Sequence, residues 1–171
     1  MHRRILGIWA MAALGLAVLP GGAIAQQKSI KDQLVGTWTL LLADEVKADG
    51  TQLPDFGPNP MGTLIFTPNG HYSLQIMRVG RPAFASNNFM SGTPAENKAA
   101  ASGVISHFGT YATDDRDKSF TFRVESSSFP NWEGTRQKRS IAAVTDEVLE
   151  YSFPTPTNPA ERTETIWKKV K

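Results

Sequence analysis

Between residues 36 and 170 the chain runs through eight short extended segments whose connections are alternately tight and long. This rhythm constrains the fold more than any single segment does. The segments show period-two alternation and β-branched or aromatic enrichment over 36–46, 63–67, 71–78, 107–113, 119–126, 136–144, 148–153 and 162–170. Links after the second, fourth and sixth are short: Pro68-Asn69-Gly70, 114–118, and Thr145-Asp146-Glu147. Asn and Gly accept the positive φ that tight hairpins require. Links after the first, third, fifth and seventh are long, at 47–62, 79–106, 127–135 and 154–161. In an antiparallel meander odd and even links lie at opposite ends, so the four long loops gather at one mouth and short turns close the other. Closing the sheet removes its exposed edges. The expected fold is all-β, an eight-stranded antiparallel up-and-down barrel, with an interior that side chains nearly fill or that holds one small ligand.

One helix is expected, between the third and fourth strands. Thr93-Pro94-Ala95-Glu96 places an N-cap, a proline at the first helical position and a glutamate three residues after the cap, and Asn97 to Ala101 carries the helix on to Gly103. It is either a lid over the mouth or a plain surface connector.

The first 25 residues stand apart. His2-Arg3-Arg4 precedes an apolar run of 15 residues, Pro20-Gly21-Gly22 interrupts it, and Ala23-Ile24-Ala25 gives the small-residue pattern of a secretory cleavage site. A membrane span needs roughly 20 apolar residues. The expectation is a signal peptide over 1–25 and a single domain over 26–171, exported to the periplasm or secreted, with no integral membrane span after cleavage. Arg3 and Arg4 belong to the signal. Without them, 16 of the 18 basic side chains remain against 16 acidic ones. A neutral domain whose main basic cluster is Arg136-Gln137-Lys138-Arg139 lacks the electrostatic footprint of a nucleic-acid binder. The absence of cysteine excludes disulfides, thiolate nucleophiles, Cys-ligated zinc and a lipid-anchoring acceptor.

These residues resemble a known family. Leu34-Val35-Gly36-Thr37-Trp38, Phe56-Gly57-Pro58-Asn59-Pro60, Leu64 to Gly70, Gly92-Thr93-Pro94, Phe108-Gly109-Thr110-Tyr111 and Ser128-Phe129-Pro130-Asn131-Trp132 are similar to the bacterial lipocalin-like domain family. The resemblance implies a lipocalin-like barrel whose Trp38 packs across the floor. It implies no shared reaction. Where lipocalins stack an arginine from beyond the last strand on that tryptophan, this chain offers Lys168, Lys169 and Lys171. A lysine allows a cation–π contact with Trp38 but loses planar stacking.

No motif fixes a chemistry. His71 and His107 stand 36 positions apart, without metal-ligand spacing, and neither a nucleophile elbow nor a phosphate-binding loop occurs. Neither metal nor cofactor is expected. Meander parity places Asp44, Glu45, Arg78, His107, Glu125, Arg136, Lys138 and Tyr151 toward the mouth, and Leu74, Ile76, Phe122 and Val124 deeper inside. An inward Arg78 either braces the rim against Glu125 or Asp44, or clamps a ligand carboxylate. His107 with Glu125 is a candidate acid–base pair, with Tyr151 a further proton donor, although a strand histidine is more often simply hydrogen-bonded. Phe56, Phe84, Phe89, Phe129 and Trp132 form an apolar lip suited to ligand capture, or fold in to staple their own loops. The leading expectation is a binding protein for a small, largely apolar ligand at the long-loop end, its polar or acidic head met by Arg78 and its body by Leu74, Ile76, Phe122, Val124 and Trp132. The alternatives are an isomerase- or cyclase-type enzyme using His107, Glu125 or Tyr151, and an envelope protein whose barrel is filled by its own side chains.

Overall fold

A computed structural model describes residues 28–154, 156 and 160–171. The expected signal segment, 1–25, lies outside the described residues. Nine strands follow in order: β1 (Gly36–Val46), β2 (Gln52–Pro54), β3 (Met61–Phe66), β4 (His71–Met77), β5 (Val104–Asp114), β6 (Ser119–Ser127), β7 (Arg136–Val144), β8 (Val148–Phe153) and β9 (Arg162–Lys169). β1 pairs antiparallel with β3, each of β3 to β8 pairs antiparallel with its successor, and β9 returns to β1, closing an eight-stranded antiparallel barrel. The additional strand, β2, pairs with Asp44 to Val46, on the edge of β1 that β3 occupies further along. The strand returning from β1 is thus interrupted at 55–60. All three β2 residues are exposed, which explains why hydrophobic alternation gives no sign of it.

Closure uses three irregularities, between Leu40 and Leu42 on β1, between Phe108 and Gly109 on β5, and between Ile141 and Ala143 on β7. Such bulges bend and twist a sheet enough for it to curl. At the second, Glu125 is the extra residue opposite Gly109. A Cβ on Gly109 would lie 2.1 Å from the Arg123 carbonyl oxygen, so the close crossing of strands there demands glycine.

The turn end is plugged. A helix unforeseen from the sequence, α1 (Ile30–Leu34), is capped by Ser29, whose hydroxyl accepts from the Asp32 N–H at 3.2 Å. Its Ile30 N–H donates to Asp115 Oδ1 at 3.0 Å, and Ile30 and Leu34 are buried. Trp38 is fully buried and donates its indole N–H to the Leu34 carbonyl at 2.8 Å. Lys169 reaches across that ring, its Nζ 4.8 Å from the centroid, and donates to the Gln33 carbonyl at 2.9 Å. Leu64, Phe66, Phe120, Phe122, Leu149 and Trp167 fill the core above this floor.

The helix α2 (Pro94–Ser102) begins at the expected capping box, with Thr93 Oγ1 and the Glu96 carboxylate exchanging bonds with each other's backbone. Glu96 also accepts from the Ala85 N–H at 2.8 Å, tying the preceding loop to the helix. None of its residues is buried. No helix among the described residues is long and apolar enough to cross a membrane.

Candidate functional site

A cavity of about 510 Å³ lies between the core and the long loops. Its apolar wall includes Leu74, Ile76, Ile105, Phe153 and Trp132, with Phe56, Phe129 and Ala101 from the loops and α2. Within this wall His107, Arg139, Tyr151 and Thr165 supply polar groups, and Asp44, Asp55 and Arg78 stand at the mouth. The arrangement has the size and the character of a small-molecule pocket: concave, mainly apolar, with a few convergent polar groups.

Of the residues singled out from sequence, Leu74, Ile76, Arg78, His107, Trp132 and Tyr151 are brought together around this space. Phe122 and Val124 are buried but do not line it. Phe122 stacks on Tyr72 with ring centroids 3.9 Å apart and so stands behind the wall. Glu125, the bulged residue, is exposed and lies outside the cavity. His107 is therefore not joined to Glu125. It shares a 2.8 Å hydrogen bond between Nδ1 and the Tyr72 hydroxyl instead. His107 also sits deeper than sequence parity places it, opposite Leu74 in mid-strand, because β5 begins three residues earlier, at Val104. The chain passes from α2 into β5 with only Gly103 between, leaving no loop residues to mark the boundary.

Arg78 follows the end of β4 and is exposed. Its Nη2 donates to the Asp55 carbonyl at 2.9 Å, and neither Glu125 nor Asp44 forms an ion pair with it. The half-buried Asp55 carboxyl is pushed up to about 6, first by burial and then by the adjacent Glu45, with which it shares a hydrogen bond, while Arg78 pulls the other way. Asp44 is raised too, by burial and by Glu164. Of the aromatic lip, Phe56, Phe129 and Trp132 face the cavity. Phe84 packs against Gly92 within its own loop, and Phe89 is 87% exposed.

The residue that sequence reasoning missed is Arg139. In the sequence it belongs to what reads as a solvated basic cluster, yet it is 4% exposed, with Gln137 on the same inward face of β7. Strict alternation with the outward Arg136 and Lys138 was the available signal. Its guanidinium lies 3.8 Å over the Phe153 ring and 5.3 Å from that of Phe122, and Nη2 donates to Gln137 Oε1 at 2.8 Å. Burial brings its pKa down to about 10 against the pull of Tyr151 and Tyr72. Burial and then the charge of Arg139 depress His107 to about 3, and burial raises both Tyr72 and Tyr151. At neutral pH these three are uncharged, so the buried end of the site carries one positive charge, on Arg139.

The profile of a family described as a lipocalin-like domain matches residues 35–170, almost all of the barrel. The chain belongs to this lipocalin-like domain family. Among characterised proteins it is similar to a 4'-hydroxy-3'-methoxypropiophenone carrier protein of Aspergillus oryzae, with 30% identity over 107 residues, 57% of this chain and 96% of that protein. A redesigned β-barrel of known structure overlays at a TM-score of 0.42 and 11% identity, covering 84% of this chain and 100% of its own.

Proposed function

We propose that this lipocalin-like protein is an exported carrier for a small, largely apolar, ring-bearing molecule that enters between the long loops. The observation that carries this reading is the cavity of about 510 Å³, walled by Leu74, Ile76, Phe153 and Trp132. Such a volume weighs against a barrel filled by its own side chains. The curated relative supports the class of cargo, since its name describes carriage of an aromatic ketone. Export rests on the charged start, the short apolar run and the Ala23-Ile24-Ala25 pattern. Carriage is favoured over isomerase-type chemistry because a general acid or base works best with a pKa near the operating pH. His107 is depressed to about 3, and the two tyrosines are shifted upward.

The test is titration of the mature chain with 4'-hydroxy-3'-methoxypropiophenone, followed by quenching of tryptophan fluorescence. Saturable one-to-one binding is expected. It should be abolished in Ile105→Trp, which fills the cavity. Absence of saturable binding, or binding indifferent to the filled cavity, would reject the proposal.

A further inference from the structure

Burying a guanidinium is costly unless an acidic partner offsets the lost hydration. The ion pairs among the described residues are Lys28–Asp146, Lys138–Asp117, Arg162–Glu164 and Lys171–Glu147, so Arg139 has no carboxylate partner there. The groups that influence it most are Tyr151 and Tyr72, which are neutral. Of the five N–H donors an arginine carries, one is well used, on Gln137 Oε1 at 2.8 Å, another makes a long 3.3 Å contact with the Lys138 carbonyl, and a side-chain hydrogen bond joins the guanidinium to Tyr151, which leaves donors over. The guanidinium carbon lies 3.8 Å from the centroid of the Phe153 ring and 5.3 Å from that of Phe122. A ring over the guanidinium takes none of its in-plane donors, so those not used by Gln137, Lys138 and Tyr151 remain for a carboxylate, whose geometry they match. Arg139 also lines the cavity. A buried cation in the wall of an apolar pocket suits an anionic ligand.

The geometry points to Arg139 as the anchor of the ligand's head group, and to a small aryl carboxylate as the class of ligand, its acid on Arg139 beside Tyr151 and its ring against Leu74, Ile76, Phe153 and Trp132. This rests on the small-molecule reading and sharpens it. Because His107 is neutral, the buried charge is a single positive one, and a monoanion balances it. The cavity of about 510 Å³ has room for a bicyclic acid. The anchor also differs from the one sequence suggests, since Arg78 stands exposed at the mouth with its guanidinium on a backbone carbonyl.

The experiment compares 2-naphthoate with 2-naphthylmethanol, which share a ring system and differ in the head. Affinities for the mature protein are measured calorimetrically at pH 7. The acid should bind at least tenfold more tightly than the alcohol. Arg139→Met should bring the two within about twofold, while Lys138→Met, which removes an outward charge one position away, should keep the preference. Should Arg139→Met fail to fold, the wild-type protein still decides. Naphthoate should shift the Arg139 Nε–Hε resonance and the alcohol should not. Equal affinities in the wild type, a preference that survives in folded Arg139→Met, or an unmoved Arg139 resonance would overturn the head-group assignment and leave the carrier reading standing. Failure of both naphthyl compounds to bind would also overturn the assignment, and the carrier reading would fall with it only if 4'-hydroxy-3'-methoxypropiophenone did not bind either.

Discussion

At the turn end, the charged and polar groups that meet at Trp38 are answered from within: the indole N–H by the Leu34 carbonyl, and the Lys169 ammonium by the Gln33 carbonyl and the ring face. At the loop end, the same sheet leaves capacity unspent. Arg139 has no acid partner, and the Trp132 Nε1 is buried without a hydrogen-bond partner among the described residues. Under the carrier proposal, the difference follows from function: bonds closed at the floor contribute stability, whereas donors left over in the wall give up some stability and keep a ligand's place.

The comparison is most sharply tested by truncating one tryptophan at each end. Trp38→Ala removes a fully buried ring and its hydrogen bond, and should cost about 3–5 kcal/mol in urea unfolding, the range for large core truncations. Trp132 is half-buried over the cavity, and Trp132→Ala should cost about 1 kcal/mol while weakening ligand binding. Equal losses at the two positions would mean that the mouth is as structural as the floor.

Within the loop end, the buried wall and the mouth should respond differently to pH. The folded pKa of His107, about 3, lies below its ordinary 6.5, so between these values the unfolded chain takes up a proton that the folded one does not. Stability from this group is full above about 6.5 and is lost as pH falls toward 3, which amounts to about 2–3 kcal/mol between pH 7 and 4.5. His107→Gln should flatten that acid limb when urea midpoints are compared at the two pH values. Asp55 acts with the opposite sign. Its folded pKa of about 6 exceeds the ordinary 3.8, so its contribution is full below about 3.8 and disappears as pH rises through 6. The group is partly exposed and screened, so the effect should be about 1 kcal/mol or less. Asp55→Asn should remove it, read as a smaller loss of stability between pH 4 and 7.

Alternation and link lengths were enough to read the barrel, its parity and its capping-box helix, because each depends on local chemistry repeated over many residues. What could not be read depended on single events. The five residues of α1 are too few for a helical period, although Ser29 and Asp32 mark its start. Alternation along β6 turns Phe122 and Val124 inward and Glu125 outward, but it does not show which inward residues reach the cavity, and Phe122 is taken up by its stack on Tyr72. Arg139 was hidden by its composition. A basic residue between Lys138 and Ser140 reads as solvated surface unless the inward face of β7 is first fixed by its partners, and Phe120 is its cross-strand neighbour. Leu74 and Ile76 were legible because the sequence there is both alternating and apolar, and the two signals agree.

The smallest expected effect separates the two arginines. Arg78 is exposed, with one hydrogen bond, to a backbone carbonyl that water can also satisfy, so Arg78→Met should change stability by less than about 0.5 kcal/mol. Its charge at the mouth still draws an anion toward the cavity, and such steering acts on association and fades with salt. Association of 2-naphthoate with Arg78→Met, followed by stopped-flow fluorescence, should slow about two- to threefold at low ionic strength and match the wild type at high salt, with little change in dissociation. Arg139→Met should do the reverse, leaving association nearly intact and accelerating release, because the contact it removes forms only once the ligand is inside. A dissociation rate governed by Arg78 and indifferent to Arg139 would place the anion at the rim, and the contrast between a self-satisfied floor and an unsatisfied wall would lose its functional meaning.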